Sequence, residues 1–441
     1  MTSRRGCPAC QRARLVQPSH SGRVARALPK SLALAASWLL ALSAAAVAAA
    51  DRTYPTDGDC GGLPRIKVAT PPGWCVGVVA QGLRFPRGLA LLPNGDLVVA
   101  EMGGWVAGRG SVSLLRKAAG YTREPLFERL NLPHAVVPGP DGRLYVGVVG
   151  GVFRFDPARP AASRSDVIGG NSPVPPLPHS GRHPLAALVF DARHDLFVNV
   201  GAASDHCEGS DGKPPDAGSP CAEGQGEEAR AVIRKYTMRW PAGRVAAVAV
   251  YAAGLRNSTA MAVHRATNTL LQGENSRDGI HLADPSLADA KLPHDEINLI
   301  RQSRHYGWPY CYDNNRPSPE YRGSTCKTRV QPLLLLPPHA APLGMAIDND
   351  ARLPAPFTGH LLLTYHGFRQ GGHRLVAFKL NARGLPGGKP VDLIASWSAV
   401  PAGPSQRAQP MGAPVDVRIA PDGAIFVSED RNGTVLRLVR E

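Results

Sequence analysis

Five short polar clusters interrupt an otherwise apolar, turn-rich chain: Arg182-His183, Arg256-Asn257, Glu274 to Asp278, Asp295 to Pro309, and His366 to Arg369. A histidine that titrates near pH 6.5 suits a proton acceptor. A guanidinium followed by an amide suits an anionic ligand, since the first neutralises and the second donates. Glu274, Asn275 and Asp278 supply the side-chain oxygens that a buried metal ion of a hydrolase would need. No glycine fingerprint follows a strand and no nucleophile elbow occurs, so nicotinamide chemistry and serine hydrolysis have no support.

The elements that must hold these clusters come from a repeat. Six times the chain runs through a small apolar stretch, a turn built on Gly, Asp or Asn, and a β-rich stretch ending on a small or acidic residue. The copies are Gly88 to Glu101, Ala135 to Val148, Ala187 to Gly201, Met261 to Glu274, Gly344 to Gly367 and Val415 to Glu429. A repeated four-stranded unit cannot bury both faces of its sheet alone and must stack on its neighbours. The expectation is an all-β, six-bladed β-propeller spanning residues 51–441, with a β-sandwich of unrelated hairpins as the alternative. Leu97, Leu144, Leu196, Leu270, Leu361 and Ile425 mark equivalent points in the copies, and their spacings grow from 47 to as many as 91 residues. One blade takes ~40–50 residues, so the longer steps imply insertions into loops. Pro86, Pro133 and Pro414 each stand 11 residues before their mark, where a strand begins and a missing N–H costs nothing. Propellers carry function at one end of the central channel, where loops from several blades converge.

Residues 1–50 hold seven basic and no acidic residues ahead of an apolar, alanine-rich run, which looks like an export signal cleaved after Ala50. An uncleaved anchor is the alternative, and only then would the protein be membrane-bound. Removing the leader lowers the formal charge from +15 to +8, modestly basic, with no Lys/Arg run interleaved with aromatics to suggest nucleic acid. Cys7 and Cys10 go with the leader. The remaining six cysteines fall into three local pairs, Cys60/Cys75, Cys207/Cys221 and Cys311/Cys326, read as disulfides of a periplasmic or secreted protein.

Gly254-Leu255-Arg256-Asn257, Leu271 to Asn275, Asp295-Glu296-Ile297-Asn298 and His305-Tyr306-Gly307-Trp308-Pro309, in this order between successive repeats, closely resemble the soluble sugar dehydrogenases that depend on pyrroloquinoline quinone (PQQ). The L-sorbosone and aldose dehydrogenase branch is similar, and the resemblance runs from about Phe85 to Arg437. It implies oxidation of a sugar C1 hydroxyl or an aldehyde hydrate, hydride transfer to PQQ, a histidine base and a calcium ion on the quinone. His183 matches the base, with Asp205 a substitute for an orienting aspartate that is Ala202 here. Arg256, Asn257 and Asn275 match cofactor contacts, and the backbone of Ser276 and Arg277 matches the calcium-holding carbonyls. Glu296, the carbonyl of Tyr306 and Asp313 resemble a second, structural calcium site. Two arginines that lie over the cofactor in glucose-oxidising members are replaced by Pro414 and Asp416. Compensating charge is expected from Arg87, Arg277, Arg369 or Arg374, with His339 and His366 nearby.

No Cys-x-x-Cys-His occurs, so electrons must leave to an external cytochrome or quinone. Two other readings stand beside the dehydrogenase: a calcium-dependent propeller lactonase, and a propeller that binds a ligand without catalysis. The insertion from Asp205 to Glu228 is long enough to cover the channel mouth, with Glu208 expected to face solvent.

Overall fold

Leu97 and Val99 pack toward one neighbouring sheet and Val98 and Ala100 toward the other, all fully buried. A strand covered on both faces reads as a continuous apolar run, not an alternating one, and this is the pattern of each repeat. The computed structural model describes residues 54–215, 219–367, 371–397 and 411–441. The leader with Cys7 and Cys10, and Arg369, lie outside the described residues.

Six antiparallel blades run from the channel outward in chain order. Blade I is Pro86–Leu91, Leu97–Glu101, Gly110–Arg116 and Thr122–Leu130, and blade II is Ala135–Pro138, Leu144–Val148, Gly151–Phe155 and Ser165–Ile168. Blade III is Leu188–Phe190, Leu196–Val200, Val232–Arg239 and Arg244–Ala253, and blade IV is Ala260–His264, Thr269–Glu274, His294–Leu299 and Leu334–Pro338. Blade V is Pro342–Ile347, Leu361–Tyr365, Arg374–Leu380 and Pro386–Ile394. Blade VI takes Pro414–Ile419, Ile425–Glu429 and Thr434–Arg440 from one end of the described chain and Trp74–Ala80 from the other. Innermost strands meet their neighbours all the way round, and an apolar cluster fills each of the six junctions. Every mark of the repeat falls on the first residue of a second strand, except Leu270, which is the second residue of Thr269–Glu274.

The pairing of Trp74–Ala80 with Thr434–Arg440 closes the ring, and the hairpin Thr56–Cys60/Leu63–Ile66 extends that sheet. The disulfide Cys60–Cys75 fastens hairpin to closing strand; Cys207–Cys221 and Cys311–Cys326 also form, with Cα atoms 5.8, 6.0 and 6.0 Å apart in the three. The turns Asn94-Gly95, Asp141-Gly142 and Asp422-Gly423 share one device. In each the side-chain oxygen accepts the N–H two residues on, and the glycine takes a positive φ.

The acidic ends of the repeats have a structural task as well. Glu101, Glu274 and Glu429 close the second strands of blades I, IV and VI, and each buried carboxylate accepts the backbone N–H of the segment entering its own blade: Arg84, Asn257 and Ala413. That role satisfies donors that would otherwise be stranded inside the protein.

Candidate active site

Innermost strands begin and second strands finish at the same end of the ring, and there the topology gathers Arg182-His183, Arg256-Asn257, Glu274 to Asp278, Asp295 and His366. A cavity of about 330 Å³ opens at this end; His183, Arg256, Asn257, Asn275, Ser276 and His339 border it, with Trp105, Arg182, Asp278 and Asp295. His183 and Arg256 therefore share one chamber.

His183 reaches the chamber because Gly201 lets two segments touch: a Cβ there would lie 2.5 Å from the His183 Cβ and carbonyl oxygen. The ring Nδ1 is 2.9 Å from the Ala202 carbonyl oxygen. A carbonyl only accepts, so Nδ1 carries the proton and Nε2 keeps its lone pair. Burial, helped by the Arg256 charge, pushes the ring down to about 3, so it is neutral at physiological pH.

Asp205 does not orient His183 as expected. Its carboxylate is paired with Arg256 Nη2, and its carbonyl accepts Arg256 Nε at 3.2 Å, so the guanidinium holds the residue at both ends. Burial raises the Asp205 carboxyl, but His206 and Arg256 outweigh it and leave it well below the usual range. The Ala202 carbonyl performs the orienting task. Arg256 also donates from Nη1 to the Asn275 carbonyl at 2.9 Å, and Nη2 lies 3.7 Å from Asp278. Asn275 Nδ2 donates to the Pro342 carbonyl at 2.8 Å.

Arg277 does not border this chamber. Its buried guanidinium pairs with Glu320 and borders a separate, smaller cavity of about 30 Å³. Its backbone carbonyl and that of Ser276 accept no hydrogen bond among the described residues. His339 does border the chamber, with Nδ1 3.2 Å from Asp278 and Nε2 2.8 Å from the Asp289 carbonyl. His366 does not: its Nε2 lies 3.0 Å from Asp430, which Arg87 holds from the other side at 2.5 Å. Arg374 faces Asp392 at 2.7 Å. Asp416 accepts the Leu89 N–H at 2.8 Å and pairs with Arg418 at 2.8 Å. The cations expected to replace the lost arginines, where described, thus already have acidic partners.

The second metal trio is split. Glu296 and Tyr306 border the smaller cavity, together with Glu274 and Ser276. Asp313 turns to His294, accepting its N–H at 2.8 Å and lying 3.0 Å from its Nδ1. Burial, with the charges of Glu274, Asp313 and Asp295 added, raises Glu296 well above the ordinary range. The hydrolase ligands do not converge either, because Glu274 is occupied by Asn257 N–H, Ser258 and Gln272. Glu208 is not solvent-facing; its carboxylate accepts the N–H of Asp205 at 2.9 Å and of His206 at 2.7 Å. The insertion around it packs on Trp308 and Tyr310, and none of its described residues borders the chamber.

Asp295 and Trp105, like Arg182, Leu185 and Ala341, line the chamber without a role assigned in the sequence reading. Asp295 is buried, accepts the N–H groups of Ser276 and Ala341 at 2.8 and 2.7 Å, and is pushed up to about 6 by burial. Trp105 carried one signal, an isolated aromatic among Gly103, Gly104 and Gly108.

The family model described as Glucose / Sorbosone dehydrogenase matches residues 173–437, well over half of the chain. The chain belongs to this family. A PQQ-dependent pyranose dehydrogenase of Coprinopsis cinerea is 26% identical over 338 residues, covering 66% of this chain and 42% of that protein. A protein of Borreliella burgdorferi is 24% identical over 199 residues, 44% of this chain and 49% of its own length. The chain thus spans under half the length of these relatives. Among solved structures, a Trichoderma reesei carbohydrate-active enzyme of family AA12 covers 88% of this chain and 100% of its own at a TM-score of 0.64 and 19% identity. The holo PQQ domain of the Coprinopsis cinerea pyranose dehydrogenase covers 86% and 99% at 0.63 and 22%. At these identities the likeness is one of fold, and the fold is the same six-bladed ring.

Proposed function

We propose that the protein is a PQQ-dependent dehydrogenase that oxidises a sugar or an aldehyde hydrate and passes the electrons to an external cytochrome or quinone. The observation that carries this reading is His183 in its Nδ1–H form, neutral and bordering the same chamber as Arg256. The lining suits the cofactor: a guanidinium, the Asn257 amide, the Asn275 side-chain oxygen and the His339 ring, with the Ser276 carbonyl, unengaged among the described residues, as a ligand for calcium. PQQ supplies a hydride acceptor and calcium polarises its quinone carbonyl. His183 Nε2 is placed to take the hydroxyl proton and pass it to solvent; the C1 hydrogen would leave with both bonding electrons as hydride to bound PQQ, and its proton and the two electrons would be given up when the external acceptor reoxidises the cofactor. Arg256, kept in place by Asp205, and Asn257 are the residues that would hold the cofactor's oxygens.

Glu296 and the Tyr306 carbonyl are the best-placed ligands for a second calcium ion, which would offset the charge that burial now disfavours. The three disulfides support a periplasmic or secreted setting. Among the described residues no helix is long and apolar enough to cross a membrane. The test is reconstitution with PQQ and calcium, followed by dye reduction and bleaching of the cofactor absorbance on adding aldoses. Lactone hydrolysis without PQQ, and no dye reduction, would transfer the site to the hydrolase class.

A further inference from the structure

We propose that the outer strand of blade III, Arg244–Ala253, is a docking edge for a partner protein, taken up as one added strand: an extended, uncharged segment with acidic residues at both ends. This surface lies outside the chamber and does not depend on the redox reading. The ring has six outer edges, and five of them carry features that keep an exposed edge from pairing. Thr122–Leu130 of blade I holds four charged residues and Pro125, and Pro386–Ile394 of blade V holds Lys389, Pro390 and Asp392. The edge of blade II is four residues long, that of blade IV ends in Pro337-Pro338, and Thr56–Cys60, the edge of blade VI, carries Asp57 and Asp59. From Val245 to Ala253 the edge of blade III has neither charge nor proline. Ala246 to Val250 are exposed, Val248 and Val250 to 45% and 42%.

Met238, in the strand next to this edge, donates its N–H to Asp195 at 3.0 Å, on the side away from the edge. The intervening residues Thr237 and Lys235 therefore face the outer strand and engage Ala247 and Ala249, their register partners. Val248 and Val250 are left with N–H and C=O groups pointing outward, and among the described residues nothing bonds to them. Register shifts at Ala246 and Tyr251 bound this stretch. Beyond it the edge is closed, because the Tyr251 carbonyl accepts the Ser303 N–H at 2.8 Å and Arg304-His305 pairs with Ala252-Ala253.

Charge decides the occupant. Arg239 and Arg244 lie at one end of the open stretch and Arg301 and Arg304 at the other, all exposed and without an ion-pair partner among the described residues. A second copy would pair antiparallel about a two-fold axis. Centred on Val248, that register sets each Arg244 against the Ala252 position opposite, beside Arg304, so like charges meet at both ends. A segment flanked by Asp or Glu meets the same cations favourably, with its two acidic ends about 25 Å apart at the rise of an extended strand. Main-chain bonds to Val248 and Val250 then supply affinity, and the charged ends supply selectivity.

The test is fluorescence polarisation on the full chain with a labelled peptide of alternating valine and threonine, a pair of aspartates at each end, beside a twin with asparagines at the ends. Wild type should bind the aspartate peptide roughly tenfold tighter than its twin, and high salt should close that gap. Val248→Pro removes an N–H that no ladder bond uses, so it should keep its thermal midpoint and lose both peptides, whereas Val248→Thr should bind as wild type does. In wild type, hydrogen exchange across residues 244–250 should slow when the aspartate peptide is added, a reading that stands whether or not Val248→Pro folds. Equal affinity for the two peptides, no binding of either, or protection confined to other segments overturns the inference. So does a dimer in light scattering that Val248→Pro splits, which would assign the edge to a second copy.

Discussion

Two buried Arg–Asp pairs stand at the same end of the ring on different walls: Arg256–Asp205, with side chains 5% and 7% exposed, and Arg87–Asp430, with 5% and 10%. Their electrostatics are alike, since a buried cation must be matched or it costs several kcal/mol. Their surroundings are not. Arg87 is closed in by His134, whose Nδ1 accepts its Nε at 3.1 Å, and by His366 across Asp430. Burial and the Arg87 charge keep His134 well below its usual value, so that side of the wall is neutral as well as sealed. Arg256 borders the chamber, although each of its three guanidinium nitrogens already donates to a protein oxygen. The same ion pair is sealed on one wall and meets a cavity on the other. The sequence departures at Pro414 and Asp416 lie on the closed wall, whereas the cavity is lined mostly from the segments that enter and leave blades III and IV, with Trp105 of blade I beside it.

The sharpest way to break this contrast is His183→Gln. Losing a positioned base costs about 10²–10⁴-fold in turnover, whereas the polar ring contributes one hydrogen bond to the fold. A thermal midpoint close to wild type with dye reduction reduced a hundredfold or more is expected. Activity within a factor of three would remove His183 from the base role. Next come Arg256→Met and Arg87→Met. Both leave a buried aspartate without its guanidinium, with only a histidine nearby (His206 or His366), and should lose about 3–5 kcal/mol in urea unfolding. Only Arg256→Met should also weaken PQQ binding at least tenfold by isothermal titration, and equal affinities in the two variants would erase the distinction between the walls.

Much of this was legible in the chain, for identifiable reasons. The ring was readable because both faces of each inner strand are buried, which imprints runs such as Leu97-Val98-Val99-Ala100 at every copy. The disulfides were readable because loops of 14 or 15 residues bring cysteines together locally. The partner of a charged side chain was not. Asp205, Arg277, Asp313 and His366 all carry the right chemistry, but each is drawn to a counter-group remote in sequence: Arg256, Glu320, His294 and Asp430. Glu274 misled differently, since an acid at a strand end looks like a ligand until Glu101 and Glu429 show it to be part of the blade. Ring closure through Trp74–Ala80 lies outside the repeat register, so the register gave no notice of it.

The neutral ring of His183 gives the contrast a pH dependence. Its pKa falls from about 6.5 unfolded to about 3 folded. Between those values the unfolded chain binds one more proton than the folded one, so this contribution is complete above pH 6.5 and is lost as pH falls, by up to about 1.4 kcal/mol per unit. Glutamine does not titrate. Wild type should therefore lose more stability between pH 7 and pH 5 than His183→Gln, by about that slope in urea unfolding, and parallel curves would show the histidine charged in the fold.

The smallest expected effect probes what holds the open wall in place. Glu208 accepts the N–H groups of Asp205 and His206, and the Asp205 carbonyl in turn accepts both Arg256 Nε and Trp308 Nε1, the latter at 2.9 Å. Glu208→Ala removes two charge-assisted hydrogen bonds from one loop end, where water can partly replace them, so a loss of about 1 kcal/mol is expected. If Asp205 is what positions Arg256, that slackening should carry into the chamber as a twofold rise in the Kd for PQQ with kcat unchanged. The equivalent disturbance on the closed wall, Ser428→Ala beneath the Arg87 carbonyl, should cost similar stability and leave PQQ affinity alone. Were Ser428→Ala to weaken PQQ as much as Glu208→Ala does, the closed wall would have to be counted as part of the binding surface.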